Sequence, residues 1–507
     1  MKTVKLIISA LFITCTIIAT AQQRTYNITA YGAKFDLKVN NAVNIQKAID
    51  AAAAAGGGRV LIPAGVYVTG ALNLKSGVEL HLDDNAILMG SSKILDYPHD
   101  KLDVISAIDQ KNISITGNGI IDGNAHELMG NVFELLRKGT ITDPAYLLKR
   151  PDEHSRTGLI LMRNCSNITV KDIKLKNAAS WVQDYEKCTD LTIDHITVES
   201  MTYWNNDGID LTDCKNVKVS NCFVNSADDG ICLKSTDKNA SCDNILVTDC
   251  TVRSSASAFK IGTGSAGGFK NITVRNLVVY DTYRSAIALE TVDGAFMENI
   301  DIRNVVARNT GNAIFIRLGH RNKDERYSSI KHVYISDVKA DIPNAKPDIG
   351  YPLEGPPPKP IIPRNLNPAV IAGIPGHAIE DVTLENIDIA YGGGGDKKMA
   401  YISTDSLNTV KENIPGYPEF TMFGEVPAYG LYVRHTDNIK LKNINIQLAT
   451  DDYRPAFIFD DVKSVDIQTL NLPVTNTFPA IVLKDVSSSS LKSLGALSGN
   501  AAAVKKQ

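Results

Sequence analysis

Three aspartates in two short segments are the residues best suited to acid–base chemistry. Asp207 lies in W-N-N-D-G-I-D-L, and Asp228 and Asp229 lie in N-S-A-D-D-G-I-C-L-K-S. Carboxylates crowded into one patch raise the pKa of at least one member, so that one group can act as an acid while another acts as a base. An isolated carboxylate buried in an apolar interior would instead cost several kcal/mol. The two segments therefore predict an acid–base site, with a bend at Gly230 that turns both members of the Asp-Asp pair outward.

The elements that must position these aspartates are short strands that recur with a long period. Strands with an alternating pattern begin at Asn167 and then at intervals of 23, 26, 28, 27 and 28 residues. A period in the twenties, built of strands and Asn/Asp/Gly turns, is typical of a solenoid, and each repeat has room for about three strands. We therefore predict an all-β chain that forms a single right-handed parallel β-helix. Asp207 and Asp228 are 21 residues apart, close to one coil, which places them on one wall in adjacent coils.

The rest of the chain predicts a cap, two inserted loops and a tail. Asn41 to Ala55 has the pattern of an amphipathic helix and is expected to cap the N-terminal coil. Gly123 to Gly158, with a helix-like run, and the proline-rich Ala340 to Pro375 interrupt the period and are expected to be loops carried on the solenoid. The predicted catalytic β-helix domain spans residues 22–486, and residues 487–507 form a C-terminal tail that is expected to fray.

The first 21 residues have the features of a signal peptide. Lys2 and Lys5 precede a mostly apolar run, and Ala19-Thr20-Ala21 has the form of a cleavage site, so we expect cleavage after Ala21 and a periplasmic or extracellular protein. The chain of 507 residues has a net charge of −3, which excludes a strongly basic nucleic-acid surface. No later apolar run approaches the roughly 18 residues of a membrane span. We expect a monomer whose partner is a polysaccharide or oligosaccharide substrate.

Seven cysteines remain once Cys15 is removed, and all lie between Cys165 and Cys250. An odd, clustered set is not the framework of a small disulfide-rich domain. No histidine joins the cluster with the spacing of a metal ligand. We interpret the cysteines as a column of small buried side chains in the repeat, and expect neither a metal nor another cofactor.

The two aspartate segments resemble the N-T-D and D-D motifs of glycoside hydrolase family 28, the polygalacturonases and their relatives. Tyr31-Gly32-Ala33, Pro63 to Tyr67 and Leu80-His81-Leu82 resemble that family's N-terminal coil, so the resemblance covers most of the mature chain. It implies an inverting hydrolase of pectic uronides, in which Asp228 is the general acid and Asp207 with Asp229 activates water. An acid and a base that hold a water between them are about 6.5–9.5 Å apart, which adjacent coils allow.

The chain departs from the family pattern in its third and fourth motifs. Ser257, in Ala256 to Gly262, stands where the family's histidine is expected, and Ala288 and Glu290 stand where Arg and Lys are expected to bind a substrate carboxylate. A glutamate at that place repels a uronate, so other cations must replace the missing pair if the substrate is acidic. The residues that we predict to contact substrate are Asn205, Lys234, Ser257, Lys260, Arg284, Glu290 and Arg317.

Several alternatives stay open from the sequence. A β-helix polysaccharide lyase would use an acidic Ca²⁺ cluster with Lys234 or Lys260 as the base. A non-catalytic glycan-binding solenoid would fit the altered motifs, although three retained aspartates have no structural value there. Glu290 either accepts hydrogen bonds from sugar hydroxyls, which favours a neutral sugar such as rhamnose beside the cleaved bond, or pairs with Arg317. Endo or exo action depends on whether the two inserted loops close one end of the cleft.

Overall fold

The computed structural model describes residues 24–98, 103–146, 150–152, 155–344, 365–473 and 479–507. The predicted signal peptide, residues 1–21, lies outside the described residues, as does part of each predicted loop. The described chain is all-β, with two α-helices of more than one turn, α1 (Ala42–Ala54) and α2 (Ala125–Arg137). Short 3₁₀ helices lie at Ile28–Tyr31, Ile94–Asp96, Thr404–Thr409, Gly495–Leu497 and Ala501–Ala503.

The strands of the N-terminal part are β1 (Thr25–Asn27), β2 (Gly58–Ile62), β3 (Gly65–Thr69), β4 (Leu72–Asn73), β5 (Val78–Leu82), β6 (Ala86–Gly90), β7 (Ile105–Ile108), β8 (Lys111–Thr116) and β9 (Ile120–Asp122). Those of the central part are β10 (Ile160–Arg163), β11 (Ser166–Lys171), β12 (Lys174–Lys176), β13 (Gln183–Glu186), β14 (Thr189–Asp194), β15 (Thr197–Ser200), β16 (Ile209–Thr212), β17 (Lys215–Ser220), β18 (Phe223–Ser226) and β19 (Ile231–Ser235). Those of the C-terminal part are β20 (Cys242–Ser254), β21 (Phe259–Ser265), β22 (Gly268–Thr291), β23 (Phe296–Leu318), β24 (Ser329–Ile342), β25 (Ala369–Ala372), β26 (Ile379–Gly393), β27 (Leu431–Thr450), β28 (Phe457–Ile467), β29 (Leu470–Asn471), β30 (Ile481–Leu491) and β31 (Val504–Lys506).

The strands form stacked coils that pair in parallel. In the central part each strand pairs with the strand three places later, so that β10, β13, β16 and β19 form one row and β11, β14 and β17 form another. Ile168, Leu191, Val217, Ile245 and Ile272 are aligned in successive coils of the second row. This alignment confirms the period read from the sequence, because each of these residues follows the Asn or Asp that begins a repeat.

The core is a stack of aliphatic side chains that point into the coils. One column of aligned, buried residues consists of Ile115, Val170, Ile193, Val219, Val247, Val274, Ile302, Ile335, Leu384 and Leu441. Neighbouring coils lie about 4.8 Å apart, so each coil buries its apolar face only against the next. The seven cysteines are buried and unbridged. Six of them are core residues, as interpreted, whereas Cys232 faces outward in the column of Asp210 and Lys260. The Sγ atoms of Cys188, Cys214 and Cys242 donate to main-chain oxygens one coil earlier, at 3.3, 3.0 and 3.3 Å.

The outward face of the row that contains β16 and β19 changes character along the axis. Asp184, Asp210, Cys232, Lys260, Ala288 and Phe315 occupy aligned outward positions in successive coils. Beyond Phe315 the same column is apolar, with Val370, Tyr432, Ile458 and Val482. Residues 394–430 cover this apolar part through Leu407, Phe420, Phe423 and Val426. The polar residues from Asp184 to Lys260 form what we call the floor of the cleft. It ends where the column becomes apolar and is covered by residues 394–430.

Helix α1 lies where the sequence predicts a helix, whereas the C-terminal residues form paired strands and not the frayed tail that was expected. Helix α1 contacts β1, β2, β4 and β5, and buries Ile45, Ala48, Ile49 and Ala52. Residues 487–507 complete β30 and supply β31, which pairs with β30 in parallel. Among the helices of the described residues, none has the length and apolar character to cross a membrane.

Candidate active site

The two aspartate segments occupy the same turn in adjacent coils, directly before β16 and β19. The main-chain N–H of Gly208 donates to the carbonyl of Asp229 at 2.9 Å, so Asp207 and Asp229 are neighbours across the coil boundary. One carboxylate oxygen of each lies within 4.8 Å of the other. This confirms the prediction that the two segments meet on one wall, and the separation lets both oxygens accept hydrogen bonds from one water.

Gly208 and Gly230 are needed in these turns because the next coil passes close behind them. A Cβ on Gly230 would lie 2.4 Å from Val252 Cγ1 and 2.6 Å from the carbonyl oxygen of Ala258. A Cβ on Gly208 would meet Val224 and the Gly230 carbonyl at 2.4 and 2.6 Å. Asp207 and Asp229 are each followed by a glycine because the neighbouring coil leaves no space there for a Cβ atom.

Asp228 and Asp229 do not share one environment, which differs from the expected outward turn of both. Asp229 is only 4% exposed, whereas Asp228 is half-buried. The main-chain N–H of Asp229 donates to Asp228 Oδ1 at 3.0 Å, and the Asp228 carbonyl accepts from Ser226 Oγ and Ser254 Oγ at 2.9 and 2.6 Å. These bonds hold the Asp228 main chain and carboxylate in place at the edge of the cleft.

The two buried aspartates of the three, Asp207 and Asp229, are each paired with a lysine. Lys234 Nζ lies 2.9 Å from Asp207 Oδ2 and also contacts Asp210 Oδ1, while Lys260 Nζ lies 3.0 Å from Asp229 Oδ2. Burial alone would lower the pKa of both lysines, but the neighbouring carboxylates raise it above the usual value. Both ammonium groups therefore stay charged, which does not fit the base that a lyase would require.

The aspartates differ in charge preference because their surroundings differ. Burial raises the pKa of Asp207 well above its usual value despite Lys234, and Asp210 and Asp228 raise it further. Burial also raises the pKa of Asp210, to about 6. For Asp229, burial acts in the same direction, but Lys260, Arg284 and Lys234 outweigh it and hold the pKa below its usual value. The surroundings therefore favour the anionic form of Asp229, whereas Asp207 and Asp210 take up protons more readily.

The altered third and fourth motifs flank Lys260. Ser257, 2% exposed, donates its main-chain N–H to Asp229 Oδ1 at 3.1 Å. Glu290 is buried with Oε2 3.6 Å from Lys260 Nζ, and burial raises the pKa of Glu290 to about 7. Ala288 is fully buried. Glu290 thus forms its ion pair with Lys260 and not with Arg317, although Arg317 is its partner in strand register.

Two of the predicted substrate-contacting residues lie outside the carboxylate cluster. Arg317 is fully buried and donates from Nη1 to the Gly373 carbonyl and from Nη2 to the Glu412 carbonyl, each at 2.8 Å. Asn205 Oδ1 accepts from Arg150 Nη2 at 3.0 Å and from Arg156 Nη2 at 2.9 Å, which attaches the segment around residue 150 to the turn before Asp207. Arg284 does line the cleft, with Nε 3.5 Å from Glu419 Oε2.

The structure adds residues that the sequence analysis did not select. Asp210 shares Lys234, and the Lys234 ammonium lies 3.7 Å from the ring centroid of Trp181. Tyr417 and Glu419, from the segment 394–430, reach back to the cleft, and Lys260 Nζ lies 3.3 Å from Tyr417 Oη. The signal for this segment was the interval from Asp381 to Asn438, which are hydrogen-bonded neighbours in the coil stack although 57 residues separate them.

A cation site at the clustered aspartates is poorly supported by its donors. Asp207, Asp229 and Cys232 each place one potential ligand atom within 4.8 Å of the others. Cys232 donates its thiol hydrogen to the Gly262 carbonyl at 3.0 Å, and burial raises its pKa well above the usual value. Because the carboxylates are already paired with lysines, the group is better suited to acid–base work than to a metal.

The chain belongs to glycosyl hydrolases family 28, whose family model matches residues 54–344. Within that family it is a polygalacturonase-like member. It is 27% identical over 314 residues to an exo-poly-α-D-galacturonosidase of Dickeya chrysanthemi, an alignment that covers 52% of each protein. The chain thus spans about half the length of this relative.

Two solved structures have a similar fold. The hyperthermoactive exopolygalacturonase of Thermotoga maritima superposes with a TM-score of 0.60 at 22% identity, covering 84% of this chain and 92% of that one. The family 28 exopolygalacturonase of Yersinia enterocolitica superposes with a TM-score of 0.66 at 20% identity, covering 90% and 80%. At such identities the likeness concerns the fold.

Proposed function

We propose that the chain is an exported, inverting glycoside hydrolase of pectic or related acidic polysaccharides. Asp228 is the general acid, and Asp207 with Asp229 activates the water. The observation that carries the proposal is the arrangement of the carboxylates: two buried, lysine-paired aspartates within 4.8 Å of each other, beside a half-buried third. The half-buried group can reach a leaving oxygen in the cleft, and the buried pair can hold one water between them.

Family membership and the names of the relatives support a pectic substrate, and the N-terminal pattern supports export with cleavage after Ala21. We further infer that the coils are right-handed and that α1 caps the N-terminal end, as the similar fold of the two exopolygalacturonases supports. A cap is required there because the first coil has no preceding coil to cover its apolar face.

The cations near Glu290 support a substrate that differs from plain homogalacturonan. Lys260 is paired with Asp229, Arg284 with Glu419, and Arg321 with Asp293 at 2.7 Å. A uronate carboxylate in this part of the cleft would have to displace a protein carboxylate, and it would also face Glu290. A neutral sugar such as rhamnose beside the cleaved bond avoids that competition, while hydroxyl groups can donate to Glu290.

The segment 394–430 supports action from a chain end. Arg317 ties this segment to the coils through the Glu412 carbonyl, and Arg434 adds an ion pair to Glu412 at 2.7 Å. Tyr417 and Glu419 then stand at Lys260 and Arg284, on the C-terminal side of the three aspartates. A barrier at this place limits how far a polymer can extend along the cleft, as exo action requires.

The test is a reducing-sugar and thin-layer screen over homogalacturonan, rhamnogalacturonan and algal polysaccharides, with and without a chelator. We expect release of mono- or short oligosaccharides with inverted anomeric configuration in the NMR spectrum of fresh product. The matched control is Asp237→Asn, which neutralises an aspartate paired with Lys187 on the surface. Retention of configuration, or wild-type activity in Asp228→Asn, contradicts the proposed mechanism.

A further inference from the structure

Lys260 has no open path to act on substrate directly. Its side chain is 2% exposed, and its ammonium lies within 3.0 Å of Asp229 Oδ2, 3.3 Å of Tyr417 Oη and 3.6 Å of Glu290 Oε2. The ammonium donates hydrogen bonds to Asp229 and Tyr417 and adds an ion-pair contact with Glu290. The buried ammonium is thus surrounded by protein groups. Its charge acts most strongly on the carboxylate of Asp229, which is the one that lies closest to it.

The Asp229–Lys260 contact repeats the Asp207–Lys234 contact one coil further along the axis. In both, an aspartate in the turn accepts from a lysine on the strand row that contains β16, β19 and β21. The two contacts differ in their neighbours, because Lys234 is shared between Asp207 and a second aspartate, Asp210, whereas Asp229 also accepts the Ser257 N–H. The extra donor favours the anionic form of Asp229, and so does Lys260, whose contact with Asp229 at 3.0 Å is closer than its contact with Glu290 at 3.6 Å.

We infer that Lys260 is a positioning residue that holds Asp229 as the ionised base for the attacking water, with Glu290 as the counter-charge that anchors the ammonium at this depth. This inference rests on the proposed hydrolase function and gives Lys260 and Glu290 roles through Asp229, without contact to substrate. It also explains the altered motifs. Lys260 places a cation one coil closer to Asp229 than Ala288 and Glu290, the positions where the family pattern has Arg and Lys, and the carboxyl group of Glu290 balances the charge of Lys260.

The groups that face Asp229 all bear on this assignment. Asp207 and Asp210 lie on the preceding coil, and Asp228 and Lys234 on its own. Lys260 lies on the following coil, Arg284 and Glu290 on the next one, and Tyr417 and Glu419 on the segment 394–430. The positive groups Lys260, Arg284 and Lys234 together outweigh burial and hold the pKa of Asp229 low, and Lys260 contributes most among them.

The test compares pH profiles of kcat/KM for Lys260→Met and Glu290→Gln on whichever substrate the screen identifies. An opposite charge at this distance lowers a carboxyl pKa by about 1–3 units, so Lys260→Met should move the acid limb upward by about one pH unit or more. Glu290→Gln should not move the acid limb upward, because Asp229 and Glu290 raise each other's pKa and the substitution removes that repulsion. Lys75→Met, which removes an exposed lysine paired with Asp50, should move neither limb.

A measurement without substrate separates this inference from the proposed function. Loss of Lys260 raises the pKa of Asp229 above its value in the unfolded chain, so protonation as the pH falls should stabilise the variant. The difference in melting temperature between wild type and Lys260→Met should therefore narrow from pH 7 to pH 4. The narrowing should persist in a Glu290→Gln background, which removes the other carboxyl group beside Lys260, and should vanish when Asp229→Asn is added to that background. Lys260→Gln supplies the same comparison if the methionine variant does not fold.

An acid limb that stays in place in Lys260→Met, or a melting difference independent of pH, overturns the inference even if the enzyme hydrolyses pectic glycans. Equal upward shifts of the acid limb in Lys260→Met and Glu290→Gln overturn it as well, since only the first substitution removes the cation beside Asp229. An absence of hydrolysis on every polysaccharide contradicts the proposed function, while the melting comparison still decides the role of Lys260.

Discussion

Replacing Asp228 by asparagine removes the proton that the leaving oxygen needs and changes little else. Asparagine keeps an oxygen that can accept the Asp229 N–H, now at 3.0 Å, and the Asp228 carbonyl keeps its bonds to Ser226 and Ser254. Asp228 also raises the pKa of Asp207, so its neutralisation relieves carboxylate crowding. We therefore expect Asp228→Asn to fold with at least wild-type stability.

The size of the catalytic loss follows from the worth of general acid catalysis. A positioned acid contributes about 10²–10⁴-fold in rate. At about 1.36 kcal/mol for each tenfold change, this equals about 2.7–5.4 kcal/mol of transition-state stabilisation. The loss should fall on kcat, because the proton moves only in the transition state, and KM should change little.

The leaving group makes the assay specific for an acid. On the natural glycan, the sugar alkoxide is a poor leaving group, so Asp228→Asn should lose the full factor of about 10²–10⁴ in kcat. On an aryl glycoside with an acidic phenol the loss should be small, since that leaving group departs without protonation. Asp229→Asn and Asp207→Asn should be equally impaired on both substrates, because water activation is needed in each case. Equal losses of Asp228→Asn on the two substrates would refute the assignment of Asp228 as the acid.

Three further outcomes are expected. Rates on rhamnogalacturonan oligosaccharides should exceed those on homogalacturonan when both are measured side by side, because the cations near Glu290 are already paired; a clear preference for homogalacturonan would show that the protein carboxylates are readily displaced. Arg317→Met should destabilise the fold by about 1–3 kcal/mol in urea unfolding by leaving the buried Gly373 carbonyl and the partly buried Glu412 carbonyl without their donor, and should open the segment 394–430 to protease; unchanged protease resistance would contradict its anchoring role. Chelator should leave activity intact, and products should lack near-ultraviolet absorbance; absorbing products lost on chelation would indicate a lyase.

Much of the fold could be predicted from the sequence because a solenoid is built from local repeats. The spacing of strands after Asn167 predicted the coils and placed Asp207 and Asp228 on one wall in adjacent coils. The structure shows that Asp229 is the residue directly across the coil boundary from Asp207. The alternation of apolar residues predicted which side chains enter the core, including the cysteines, since each coil must bury its face against the next. The helix at Asn41 to Ala55 was also found, because its amphipathic pattern and glycine stop are local signals.

The electrostatics of the site came only from the tertiary structure. The sequence placed Lys234, Lys260, Glu290 and Arg317 on the same wall but did not tell which carboxylate each cation meets, because that depends on side-chain reach and burial across coils. The pairing of Lys260 with Asp229 and Glu290, and the attachment of Arg317 to loop carbonyls, were decided there.

The segment 394–430 shows the same division most clearly. The 57-residue interval between Asp381 and Asn438 marks an insertion in the sequence, yet its destination is set by an apolar column from Phe315 to Val482 that only stacking assembles. The segment 394–430 packs on that apolar column and shields it from solvent. This packing places Tyr417 beside Lys260 and Glu419 beside Arg284. The sequence by itself determined the repeat, the core and the three aspartates, because these follow from local periodicity. The tertiary structure decided the charge partners and the far wall of the cleft, because burial and contact between distant segments exist only once the coils are stacked.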